Sequence, residues 1–221
     1  FATPALQRDL DELASVYRRP SRIESDHPQV SHRYTDILVA GLTRLAQLNP
    51  KRAYQAMISL GNHFDGTDPR RRTVSKAIVK HSLFAERFPA PVDWLKAQLQ
   101  ALKDDNLTLI WLRKRISEGR WSGLISEIGW LSPALREQDR WRYWLARSRA
   151  ALGDDDGDGL WRNLASERSF HGFLAADRLA EPYVLNDRGP PGPIPEFSVS
   201  TWRGVARAQE LLALGERRES K

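Results

Sequence analysis

Apolar residues recur along this chain every three to four positions. Ile37, Gly41, Leu45 and Leu48 lie on one stripe, and Ala53, Met57 and Leu60 on the next. Val74, Ala77, Ile78, Ala85 and Phe88 follow, then Leu95, Leu99 and Leu102, then Leu109, Leu112 and Ile116. Trp121, Leu124, Ile125, Ile128 and Leu131 make the cleanest stripe. Trp141, Trp144, Leu145, Ser148 and Leu152 make another, and Val199, Trp202, Ala206, Gln209 and Ala213 the last. This spacing predicts α-helices, because positions i, i+3, i+4 and i+7 share one helical face. No segment shows the alternation that a half-buried strand requires.

The polar punctuation fits helix ends. Asn49-Pro50, Asp68-Pro69 and Ser132-Pro133 each set a capping side chain before a proline suited to the first helical position. Gly61, Gly119, Gly153 and Gly215 stand where C-terminal caps are expected. The reading is roughly ten helices of about 10–18 residues joined by short links. Helices so short are marginal alone and must stack on neighbours. The expected fold class is all-α: an α-superhelix or solenoid of stacked short helix pairs.

The stretch LASERSFHGFLAADRLAEPY, residues 164–183, sharpens that expectation. Phe170, Phe173 and Leu174 share one face of its helix, while Gly172, Ala175, Ala176 and Leu179 share another. A helix held between two neighbours explains both: one approaches closely over the small residues, and the rings fill the gap to the other. The segment DRGPPGPIPEF, 187–197, breaks the pattern and is expected as a stiff loop.

Composition narrows the function. The 221 residues are 41% hydrophobic and 28% charged, enough apolar content for a real core. Charge is +6, and 27 of the 34 basic residues are arginine, which favours an anionic partner only weakly. Cysteine is absent, which excludes disulfides and thiolate metal sites. No apolar run approaches the length of a membrane span. The opening FATPALQRD lacks an initiator methionine and a signal peptide, as expected for a processed or excised piece.

Motifs that carry chemistry are weak. Asp154, Asp156, Asp158 and Gly159 match the early positions of a calcium loop, but Ala165 stands where a bidentate carboxylate must close it. A polar turn between helices is the better reading. His27, His32, His63, His81 and His171 show no zinc-ligand spacing. Arg70-Arg71-Arg72, Arg113-Lys114-Arg115 and DRWRYWLARSR (139–149) have the composition of a single-strand groove. Trp141 and Trp144 nevertheless share a face with Leu145, so the rings read as core, with Arg142 and Arg149 on a solvated face and no nucleic-acid partner. Asp104, Asp105 and Glu86 sit at helix ends without an apolar pocket to raise a pKa, and Glu219-Ser220 lies in a polar tail. No catalytic, cofactor-binding or metal-binding residue is assigned.

One segment carries a resemblance. WRYWLARSRAALGDDDGDGLWRNLASERSFHGFLAADRLAEPY, 141–183, resembles the superhelical region of soluble lytic murein transglycosylases. GLTRLAQLNPKRAYQAM (41–57) and RAQELLALGERRES (207–220) are similar to flanking parts of that region. His171 stands where tyrosine is usual and Ala180 where glycine is usual. The resemblance implies a periplasmic α-superhelical ring or horseshoe joined to a lysozyme-like domain. That domain cleaves the MurNAc–GlcNAc bond of peptidoglycan without water, one glutamate acting as acid and then base, to leave a 1,6-anhydro sugar. Its signature, glutamate-serine on an apolar helix with Gly-Leu-Met-Gln downstream, does not occur in this chain. Residues 1–221 are therefore expected to be a superhelical scaffold segment of a larger lytic enzyme, without its catalytic domain and inactive alone. Glycan strands and cell-wall proteins are the expected partners, with no cofactor. The rival reading is a stand-alone helical-repeat adaptor for a protein client.

Overall fold

The computed structural model describes residues 3–24, 34–60, 68–153, 157–186 and 202–216. Among them it contains helices and no strand. The chain divides into two compact units, Phe1–Tyr183 and Val184–Lys221.

In the first unit α1 (Pro4–Arg18) leads through a 3-10 turn (Pro20–Glu24) to α2 (Tyr34–Leu48) and α3 (Pro50–Ser59). There follow α4 (Pro69–Leu83), α5 (Val92–Leu102), α6 (Asp105–Ser117) and the short α7 (Leu124–Ile128) and α8 (Pro133–Arg136). The unit closes with α9 (Asp139–Ala151), α10 (Gly157–Ala165) and α11 (Phe170–Leu179). The second unit contributes α12 (Arg203–Ala213), which has no buried residue.

Local chemistry sets the helix starts. The side chains of Asn49 and Asp68 cap α3 and α4 by accepting from Arg52 N–H (3.1 Å) and Arg70 N–H (2.8 Å), and each is followed by the expected proline. Ser132 occupies the cap position of α8 but makes no side-chain capping bond. Gly119, Gly153 and Gly215 all adopt positive φ, as their capping places require, and Gly61 lies outside the described residues. The stripe from Trp121 to Leu131 is shorter than its apolar spacing suggests. Gly123 at φ 84 blocks helix before Leu124, so only five residues coil, although Leu124, Ile128 and Leu131 are buried as expected.

The core is passed from helix to helix. A first cluster gathers Val16, Ile37, Leu42, Met57 and, from α4, Val74 and Ile78. A second takes Val79 and Leu83 from that same α4 and runs through Leu95, Leu99, Trp111 and Leu112 to Trp141 on α9. A third takes Tyr143 and Ala146 from α9 and continues through Trp161 and Leu164 to Ala175 and Ala176 on α11. Tyr54 and Trp94 pack against both of the first two clusters, meeting edge to face at 5.0 Å, and Trp144 packs against the second and third. Helices such as α4 and α9 thus bury two flanks, as a solenoid requires. The fold is the all-α superhelical class the periodicity predicts.

Several expectations need correction. Leu48 and Leu152, at the ends of their stripes, are 61% and 52% exposed because α2 and α9 end there, and the last stripe, Trp202 to Ala213, contributes no buried residue. On α11 the small face is buried as expected, but Phe170 is 70% exposed and fills no gap. It sits in the first turn, edge to face with the neighbouring His171 ring at 5.3 Å, while Phe173 packs on Tyr183 at 5.0 Å.

Candidate functional site

The basic runs disperse into structural contacts. Arg70 pairs with Asp36 (3.1 Å), and Arg72 donates to the carbonyls of Ala101 and Leu102 at the end of α5. Lys114 donates to the Ala85 carbonyl at 2.5 Å and lies over the Phe88 ring, whereas Arg115 turns into the core. The ring-rich stretch 139–149 is core at Trp141 and Tyr143. Arg142 is not the solvated residue its helical position suggests. It is half-buried and reaches Asp139 at 3.3 Å and Asn163 on α10, tying α9 to α10. Arg147 remains exposed and lies over Trp121 and Trp144, whose rings stack 6.2 Å apart.

The candidate acids are engaged or exposed. Asp104 caps α6 through Leu107 N–H (3.2 Å) and pairs with Lys76 at 2.7 Å. Burial would raise its pKa, but the Lys76 bond and charge and the backbone N–H groups together hold it below the ordinary value. Asp105 accepts from Ser132 N–H at 2.9 Å, and Glu86 is exposed. Asp154, Asp156 and Glu219-Ser220 lie outside the described residues, while Ala165 is buried at the end of α10. His27, His32 and His63 also lie outside them. The imidazoles of His81 and His171 are held below their ordinary pKa, chiefly by burial and then by Lys80 and Arg140 respectively.

A buried charge cluster lies where the sequence showed none. Glu127 on α7 is 1% exposed. Its Oε2 accepts from the Trp111 indole N–H at 2.9 Å and from Arg115 Nε at 3.4 Å, and Arg115 also donates to the Ser122 carbonyl. Oε1 lies 3.1 Å from Lys96 Nζ, an ion pair too poorly angled to count as a hydrogen bond. One carboxylate thus answers two cations and an indole, which is how a buried charge is made tolerable. The available signal was the spacing Leu124, Glu127, Leu131, which puts the glutamate on the buried face. With both oxygens turned to α5 and α6, this carboxylate braces helices and has no free proton-transfer partner.

Two open clefts flank the turn between α5 and α6. One, of about 500 Å³, has Asp68, Arg71, Gln98 and Ala101 in its walls. The other, of about 470 Å³, lies between that turn and the linker to α8, with Gln100, Lys103, Asp105 and Trp130 among its lining residues. Among the described residues no helix is long and apolar enough to cross a membrane.

No family model and no curated protein sequence matches the chain. Solved structures do. An inactive mutant of lytic transglycosylase Slt from Pseudomonas aeruginosa is similar at 26% identity and a TM-score of 0.70, over 98% of this chain. A 70-kDa soluble lytic transglycosylase in complex with bulgecin A matches over 100% of it (16% identity, TM-score 0.69), and the 70-kDa enzyme of Escherichia coli over 99% (16%, 0.66). The chain spans 36% of the length of each of those proteins. In fold along nearly its whole length, and in sequence to the Pseudomonas enzyme, this chain resembles a region of the soluble lytic transglycosylases, the family that residues 141–183 pointed to.

Proposed function

We propose that this chain is a non-catalytic scaffold segment of a periplasmic lytic transglycosylase, one that holds peptidoglycan strands for an active site elsewhere in the protein. The observation that carries the reading is the match to lytic transglycosylases over nearly all of this chain and only 36% of theirs. The parent protein would cleave MurNAc–GlcNAc bonds to 1,6-anhydro products. The net charge of +6 suits a polymer whose stem peptides carry carboxylates, each contact being weak. Glu127 supports the division of labour, since the most deeply buried carboxylate among the described residues is committed to Trp111, Arg115 and Lys96.

The test is binding and turnover by the chain itself. Purified sacculi should retain it in a salt-sensitive way and yield no anhydro-muropeptides. Release of such products would overturn the non-catalytic reading, and failure to bind sacculi would favour the adaptor for a protein client.

A further inference from the structure

The turn between α5 and α6 is fastened from several sides. Arg72 holds its carbonyls, Lys76 holds Asp104 and Asp104 caps α6. Asp105 holds the Ser132 N–H at 2.9 Å and so ties the turn to the linker before α8. The cleft of about 470 Å³ lies between these two fastened walls. Three side chains that line it stand apart from the bracing. Gln100 and Lys103 are exposed; Trp130 is half-buried with part of its ring against the second core cluster; and no side chain of the three forms a hydrogen bond or ion pair with another described residue. Lys103 also holds a left-handed backbone, φ 49 and ψ 41, which a lysine adopts at a cost that glycine would avoid. Strain of this kind persists where surroundings enforce it, and it presents the ammonium from a rigid turn.

From these groups we propose that the cleft binds an amino sugar bearing a carboxylate, as one unit of a glycan strand. The proposal rests on the scaffold reading above and names the place where the strand is held. An indole offers its face to the C–H face of a pyranose, and the primary amide of Gln100 matches a hydroxyl or acetamido group. The Lys103 ammonium pairs with the carboxylate. The volume suits a mono- or disaccharide among ligand sites of about 300–1,000 Å³. Asp105 opposes any anion in this cleft, so one ammonium can offset the single charge of a sugar carboxylate but not the several charges of a nucleotide's phosphates, and a nucleotide, which also stacks on indoles, fits less well.

The experiment is a titration of the whole chain, followed by amide and indole NMR shifts, with the disaccharide N-acetylglucosaminyl-N-acetylmuramic acid. Neutral N,N′-diacetylchitobiose (hereafter chitobiose) is the comparator. Shifts should gather on Lys103, Leu131, Ser132 and the Trp130 indole, with chitobiose about tenfold weaker. Trp130→Ala and Lys103→Gly should each weaken binding about tenfold. Lys103→Gly relieves the left-handed strain, so its melting temperature should rise while its binding falls, which damage to the fold cannot produce. Shifts centred elsewhere, equal binding of chitobiose, or undiminished binding by Lys103→Gly would overturn the site. Should sacculi still retain the chain in those cases, the scaffold reading stands without this cleft; if sacculi do not retain it, that reading falls on its own account.

Discussion

The carboxylate of Glu127 accepts the indole N–H of Trp111 at 2.9 Å, across sixteen residues of sequence, with both side chains sealed from water. Around that bond α5, α6 and α7 meet through Lys96, Arg115 and the ring of Phe88, stacked on Trp111 at 5.2 Å. Glu127→Ala leaves the Arg115 Nε–H and the Trp111 indole N–H without their acceptor, and Arg115 and Lys96 without their counter-charge. The expected loss is about 3–5 kcal/mol, the cost of breaking a buried pair from one side. In a chain of this size that lowers the melting temperature by about 2–4 °C per kcal/mol. Arg115→Met in the Glu127→Ala background should cost much less than it does alone, since the two share one interaction. Thermal denaturation of the four proteins reads both statements; additive losses would show that the cluster is not a unit.

Ala180 ends α11 in the left-handed conformation, φ 53 and ψ 36, at a position where the resembling family usually has glycine. A β-carbon there crowds its own carbonyl, at about 1–2 kcal/mol. Glycine removes that crowding but gives back part of the gain as unfolded-state entropy. Ala180→Gly should therefore stabilise the chain by about 0.5–1 kcal/mol, measured as a raised denaturant midpoint with unchanged slope. An unchanged or lowered midpoint would mean that the surroundings of α11 already absorb the strain.

How much of this could be read in advance depends on the range of the interaction. Asn49 and Asp68 were legible as caps because each acts on a backbone N–H two or three residues away. The stacking of the short helices was legible too, because apolar periodicity on successive short helices leaves few other ways to hide them, although which helices bury two flanks, α4 and α9, was not. Glu127 was not, since its partners lie 12, 16 and 31 residues back along the chain. Phe170 misled for a related reason. Periodicity shows which residues share a face, but not whether a neighbour reaches that face at the first turn. The cleft beside Lys103 was equally hidden, because it forms only where the end of α5 meets the linker before α8.

Gly172 tests the close approach of α10 and α11. A β-carbon built there would fall on the Glu167 carbonyl oxygen and lie 2.8 Å from that of Leu164. Both are backbone atoms, which cannot rotate away as a side-chain end can. Gly172→Ala gains helix propensity of about 1 kcal/mol yet should still destabilise, with overpacking costing about 1–3 kcal/mol or more. Faster hydrogen exchange on α10 and α11 than on α2 and α4 would place the damage at this contact; a stabilised variant would show that the two helices separate at little cost.

His171 gives the first unit a pH dependence whose sign is fixed by its surroundings. Its ring lies 5.4 Å from Tyr143 and 5.3 Å from Phe170. Arg140 on α9 opposes its charged form, Asp139 only partly offsets this, and burial is the largest cause of a pKa below the ordinary 6.5. The unfolded chain therefore binds a proton at a higher pH than the folded one. The stability linked to this group is fully present above about pH 6.5 and is lost as pH falls towards the folded-state value. Tyrosine, usual at this position in the resembling family, keeps a ring against Tyr143 and carries no charge in that range. His171→Tyr should flatten the fall in melting temperature between about pH 7.5 and 5.5. It should not abolish it, because His81 on α4 is depressed in the same direction, by burial and then by Lys80. An equal slope in both proteins would mean that His171 is solvated well enough to titrate as it does in the unfolded chain.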